Sequence, residues 1–135
     1  MTSEVIYLGG LRTEARHIKS GQKIITDAPT DNQGKGEAFS PTDLLATSLA
    51  ACHLTIMGIT ARDKSIDIEG ATAEVTKIMA SDPRRVAKVI VNINMPDKNF
   101  TDRDKTILEK SADACPVSRS LGDQVEIELQ IIWPS

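Results

Sequence analysis

The chain has 135 residues, enough for one domain with a substantial apolar core, and its two cysteines are too few for a disulfide framework. Its formal charge of −3 argues against binding nucleic acid through bulk positive charge. Only 3% of its residues are aromatic, so stacking platforms for bases or sugars are not expected and the core must be aliphatic.

Three short strands are predicted near the start of the chain. Residues 4–8 and 11–18 flank a Gly-Gly turn, and residues 22–26 form the third strand. The segment 27–40 is rich in Pro, Gly, Asp and Asn, which predicts a long loop of a kind that is often functional.

A strongly apolar helix is predicted next. Ser40 is a good N-cap, Pro41 suits the first helical position, and Asp43 completes a capping box. Residues 44–59 are apolar on nearly every face, so we expect this helix to be buried in the core. Polar side chains interrupt this apolar stretch, and we therefore predict that it is too short and too polar to span a membrane.

The rest of the chain is predicted to alternate between strands and helices. The elements are strands at 66–79 and 86–95, helices at 102–114 and 115–121, and a strand at 125–131. A slip in the apolar pattern at Gly70 predicts a β-bulge there. Six strands around one buried helix predict a single α+β domain, residues 1–135.

The two cysteines, Cys52 and Cys115, lie on different predicted elements. No leader sequence is evident, so we expect a cytosolic protein whose thiols are free. Cys52, inside the apolar helix, is more readily interpreted as a small core side chain than as a reactive group. Cys115 precedes Pro116 at a helix N-terminus, where it is either a reactive thiol or a substitute for a capping Ser.

Two segments resemble the signatures of the OsmC/Ohr family. The first is FSPTDLLATSLAAC at 39–52, and the second is ACPVSRSL at 114–121, shortly before the last strand. The segments YLGGLR at 7–12 and TDAP at 26–29 are similar to the N-terminal part of that family. The resemblance covers essentially the whole chain. It implies an α+β fold in which antiparallel sheets wrap around a central, buried, Cys-bearing helix, in an intertwined homodimer.

The resemblance also implies a chemistry. Characterised members are thiol peroxidases, oxidoreductases that reduce organic hydroperoxides and act in the oxidative stress response. Carried over by position, Cys52 is the peroxidatic cysteine and Cys115 the resolving one. Such a pair passes through a sulfenic acid and a disulfide, and a dithiol reductant restores it.

The same resemblance assigns a cation that activates the peroxidatic thiol. The family uses an N-terminal Arg, best matched by Arg12 with Arg16 as the fallback, held by an acidic residue near the start of the Cys helix. Asp43, nine residues before Cys52, matches that acidic position, although its capping box explains it equally well. The Ohr-type pattern has a Glu where this sequence has Thr42, which argues against strong Ohr-type activity.

Two other functions stay open. The chain could be an OsmC-like protein that binds a small amphipathic ligand with little peroxidase turnover, because an aliphatic pocket suits either molecule. It could also be a structural remnant with inert thiols. We expect no bound cofactor, and the two histidines, His17 and His53, are too few for a zinc site.

Overall fold

The structure, a computed structural model, describes all 135 residues and divides into two compact units, Met1–Leu45 and Ala46–Ser135. The first unit is built on an antiparallel sheet in the order β1-β2-β3. Its strands are β1 (Ser3–Gly9), β2 (Arg12–His17) and β3 (Lys23–Asp27). All three predicted strands are therefore confirmed.

The turn between β1 and β2 uses the predicted glycines. Gly9 and Gly10 have φ angles of 83° and 62°, a conformation that glycine adopts without steric cost. The long predicted loop follows β3 and contains one short 3-10 turn, Thr30–Asn32.

Helix α1 (Pro41–Asp63) begins in the first unit and continues into the second. Its predicted capping box is confirmed: the Asp43 N–H donates to Ser40 Oγ at 3.1 Å, and the Ser40 N–H donates to Asp43 Oδ2 at 3.0 Å. With 23 residues the helix is longer than predicted. By length and composition alone it could cross a membrane, so the expectation that it is too short and too polar was wrong. The core helices of soluble proteins meet the same criterion.

Burial of α1 is confined to one face in the isolated chain. The buried side chains repeat every three or four residues; they are Ala46, Leu49, Ala50, His53, Met57 and Ala61. Ile59, by contrast, is 54% exposed. The prediction that the helix is buried on all sides is therefore wrong for one copy of the chain.

The second unit contains a sheet in the order β4-β5-β6. Its strands are β4 (Thr72–Ala80), β5 (Arg85–Asn94) and β6 (Glu126–Ile132). The pair β4–β5 is antiparallel, but β5 and β6 run parallel, which corrects the expectation of wholly antiparallel sheets. The parallel pair follows from the connection between its strands, since a chain that crosses over through helices re-enters the sheet in the same direction.

Strand β4 begins at Thr72, six residues after the predicted start. Ile66 and Ile68 alternate because both pack against the core, not because they pair in a strand. Gly70 lies in a turn with a φ of 96°, so the bulge predicted there is wrong; the register shift of this pair falls between Ile78 and Met79.

The crossover from β5 to β6 carries three helical segments. They are α2 (Asp102–Ser111), a 3-10 turn (Ala112–Ala114) and α3 (Pro116–Leu121). The helix predicted at 102–114 therefore ends three residues early, and the chain continues as the 3-10 turn. This turn leads directly into Cys115.

Candidate thiol site

The second unit brings Cys52 and Cys115 together. Cys52 is partly buried on α1 and packs against the core, whereas Cys115 is fully buried at the N-cap of α3. Both are free thiols, and Cys52 lies close enough to Cys115 to affect its ionisation. Two thiols from distant parts of the chain are thus neighbours in the fold.

The surroundings of Cys115 favour its protonated form. Burial raises the pKa of the Cys115 thiol, and the neighbouring Cys52 thiol acts in the same direction. The Ser118 N–H donates to the Cys115 sulfur at 3.4 Å, which opposes this shift without reversing it. Cys115 therefore caps α3 as a Ser would, and its helix N-terminus does not make it the more reactive thiol.

His53, the residue after Cys52, is buried and held in place. Its Nδ1 lies 3.1 Å from the Ala112 carbonyl oxygen, and its Nε2 has no hydrogen-bond partner. Burial lowers the pKa of His53, although the Ala112 carbonyl and the nearby Asp113 carboxylate oppose this, so the ring is neutral at neutral pH. No cluster of three or more His, Cys, Asp or Glu side chains in the structure could hold a metal ion.

Arg12 forms a bidentate ion pair in the first unit. Its Nε and Nη2 donate to the two carboxylate oxygens of Asp27 at 2.7 Å and 2.9 Å. Asp27 is 1% exposed and also accepts a hydrogen bond from the Glu37 N–H. The hydrogen bond from Arg12 holds the pKa of Asp27 below its ordinary value.

Sequence reasoning missed Asp27, which was assigned to the start of the loop. The signal that could have identified it is strand register, because Asp27 lies directly opposite Arg12 across the β2–β3 ladder. Asp43 caps α1, and its predicted role of holding the Arg stays a prediction. Arg16, the fallback, lies 3.8 Å from Glu4 in an exposed ion pair.

We expect Asp27→Asn to lower the melting temperature most at neutral pH. Because the pKa of Asp27 is lowered by folding, its carboxylate adds stability above the unfolded value of about 3.9 and loses it as the pH falls through the folded value. The difference in melting temperature between wild type and variant should therefore disappear below about pH 4. Thermal unfolding at several pH values measures this difference, and Asp97→Asn, at an exposed position, is the control. A gap that is constant from neutral to acid pH would contradict the role of the ion pair.

The model of the OsmC-like protein family matches residues 34–130. The chain belongs to this family. No curated protein matches the chain.

Solved structures agree with the OsmC-like assignment. A candidate osmotic stress induced and detoxification response protein from Psychrobacter arcticus 273-4 is 56% identical, with a TM-score of 0.92 over 97% of this chain and 95% of that one. An OsmC-like protein from Mycoplasma pneumoniae is 18% identical, with a TM-score of 0.81 over 98% and 96%. The organic hydroperoxide resistance protein OsmC from Legionella pneumophila is also 18% identical, with a TM-score of 0.75 over 98% and 97%. The last two show that the fold is shared.

Proposed function

We propose that this OsmC-like protein is a cytosolic thiol peroxidase that reduces organic hydroperoxides, with Cys52 as the peroxidatic and Cys115 as the resolving cysteine. The observation that carries the proposal is the proximity of these two free thiols, which lie against the same apolar core. Relatives of the same fold are named as organic hydroperoxide resistance proteins, which supports this substrate class.

The different burial of the two thiols supports the division of roles. Cys52 is only partly buried whereas Cys115 is fully buried, so Cys52 is the thiol more open to a hydroperoxide. Cys115 also keeps its proton, because burial raises its pKa. A shielded, protonated thiol suits a group that reacts only after its neighbour has been oxidised.

The proposed cycle has three balanced steps. The Cys52 thiolate attacks the terminal oxygen of the hydroperoxide; the O–O bond breaks, Cys52 becomes a sulfenic acid, and the alkoxide takes a proton and leaves as an alcohol. The Cys115 sulfur then attacks the Cys52 sulfur, and the hydroxyl leaves as water with the Cys115 proton. A dithiol reductant reduces the resulting disulfide to two thiols and is itself oxidised to a disulfide.

We assign Arg12 the role of the cation that stabilises the Cys52 thiolate, as the family resemblance implies. Its Nε and Nη2 bind Asp27, which leaves Nη1 to donate to an anion. Because Asp27 is buried and held by the Glu37 N–H, the guanidinium is fixed before any substrate arrives. Asp27 is thus the carboxylate that orients Arg12 in this proposal.

The test of the function is consumption of cumene hydroperoxide and of hydrogen peroxide with dithiothreitol as the dithiol. We expect cumene hydroperoxide to react about tenfold faster or more, because an aliphatic site stabilises the alkyl group. Consumption no faster than with dithiothreitol alone would contradict the proposal.

Binding of a small amphipathic ligand with little turnover is the second candidate. The observation that favours it is the exposure of apolar side chains near Cys52 on α1: Ile56, one turn on, is partly exposed and Ile59, two turns on, is 54% exposed. A fatty-acid probe that bound the protein without any peroxide consumption would favour this function.

We expect the protein to be a homodimer. Strand β1 exposes four consecutive apolar residues, Val5, Ile6, Tyr7 and Leu8, each at least 50% exposed. Successive strand residues point to opposite faces, so both faces of this edge strand are apolar and need a partner. Sedimentation equilibrium should give a dimer mass at micromolar concentration, and Ile6→Lys should weaken the dimer.

The control for the dimer experiment is Glu69→Lys, which places the same side chain in an exposed turn. It should leave the dimer intact. A wild-type protein that sediments as a stable monomer would remove the homodimer from the proposal.

A further inference from the structure

We propose that His53 is a positioning residue whose hydrogen bond to the Ala112 carbonyl fixes Cys115 against Cys52. The inference deepens the proposed peroxidase function and rests on it for its purpose. The sequence alone assigned His53 no role in the thiol site.

The argument begins with the geometry of α1. Cys52 and His53 are consecutive, so their side chains leave the helix about 100° apart and meet different neighbours. Cys52 lies beside Cys115, and the His53 ring forms a hydrogen bond with the carbonyl of Ala112. These two neighbours are themselves the ends of one short segment, the 3-10 turn and the residue after it. Helix α1 therefore holds this segment at two points.

The chemistry of the imidazole ring determines which atom donates in the hydrogen bond between His53 and Ala112. A carbonyl oxygen only accepts, so Nδ1 carries the hydrogen and donates it. In the neutral ring Nε2 is then an acceptor, and it is buried without a partner. An unpaired buried nitrogen is costly, and an apolar side chain would avoid that cost. The Nδ1 hydrogen bond is the interaction that an apolar side chain would lose.

The hydrogen bond to Ala112 matters because two reactions compete for the oxidised Cys52. Once Cys52 is a sulfenic acid, either Cys115 or a further peroxide molecule reacts with it. Holding Cys115 in place gives it a high effective concentration, which favours the disulfide over the sulfinic acid. Loss of the Ala112 attachment removes one of the two points at which α1 holds this segment.

The experiment measures the equilibrium constant for the Cys52–Cys115 disulfide in glutathione redox buffers, with thiol labelling and mass spectrometry as the readout. We expect His53→Leu to lower this constant about tenfold. His53→Asn should stay within about threefold of wild type, because its amide nitrogen can take the place of Nδ1. His53→Gln, whose amide reaches the Nε2 position instead, should resemble His53→Leu.

The matched control is Met57→Ala. Met57 is fully buried one turn further along the same face of α1, so its truncation loosens the core without touching the Ala112 attachment. It should leave the constant within about threefold of wild type. If His53→Leu does not fold, the Asn and Gln variants decide the question, because both keep a polar amide but only the Asn amide nitrogen takes the Nδ1 position.

The outcomes separate this inference from the proposed function. An unchanged constant in His53→Leu, or equal constants in His53→Asn and His53→Gln, would overturn the positioning role even in an active peroxidase. A wild-type protein that consumes no hydroperoxide would overturn the proposed function. The positioning role would still stand if the constant fell in His53→Leu and recovered in His53→Asn.

Discussion

Cys52→Ser is expected to reduce hydroperoxide consumption to the uncatalysed rate while leaving the protein folded. A serine hydroxyl is not ionised at neutral pH, so it cannot replace a thiolate that attacks the O–O bond. The substitution is close in size and Cys52 is only partly buried, so little stability should be lost. Steady-state consumption of cumene hydroperoxide and a thermal melt measure the two quantities.

Cys115→Ser should give a different result, which is why it is the matched variant. The Ser118 N–H that bonds the Cys115 sulfur would bond a serine oxygen as well, so the cap of α3 is kept. One turnover should then occur and leave Cys52 as a sulfenic or sulfinic acid, visible by intact mass. Full steady-state activity in both single variants would contradict the peroxidase function and favour ligand binding.

Local signals in the sequence predicted the parts of the site that depend on neighbouring residues. The capping box of α1 follows from the spacing of Ser40 and Asp43, and the cap of α3 follows from Cys115 before a proline. These features need only a few residues on each side, so a single sequence is sufficient to identify them. Strand alternation likewise predicted β6 almost to its ends.

The parts that the sequence did not predict depend on contacts between distant segments. The Arg12–Asp27 pair needs the register of two strands, and the bond from His53 to Ala112 joins residues 59 positions apart. The burial of α1 was overestimated for a related reason: composition shows that a helix is apolar, but not whether its second face is covered by the same chain or by another copy.

Arg12→Ala is expected to lower hydroperoxide reduction by about tenfold or more, an effect on the order of 1.4 kcal/mol. Thiolate is the reactive form of cysteine, and a guanidinium stabilises it because it stays charged when partly buried. The first turn of α1 cannot supply this charge, because Cys52 lies about three turns from Ser40 and the helix dipole fades within one turn. The measurement is the pH profile of Cys52 alkylation in a Cys115→Ser background, which should move to higher pH.

Arg16→Ala is the matched control, since Arg16 lies on the same strand but pairs with the exposed Glu4 instead of a buried carboxylate. It should change neither the alkylation profile nor the rate of peroxide reduction. Asp27→Asn should have an intermediate effect, because it keeps a hydrogen-bond acceptor for Arg12 but removes the charge that orients it. An unchanged profile in Arg12→Ala would show that Arg12 is not the activating cation. Arg16 would then be the next candidate for the cation, with ligand binding and an inert Cys52 as the alternative.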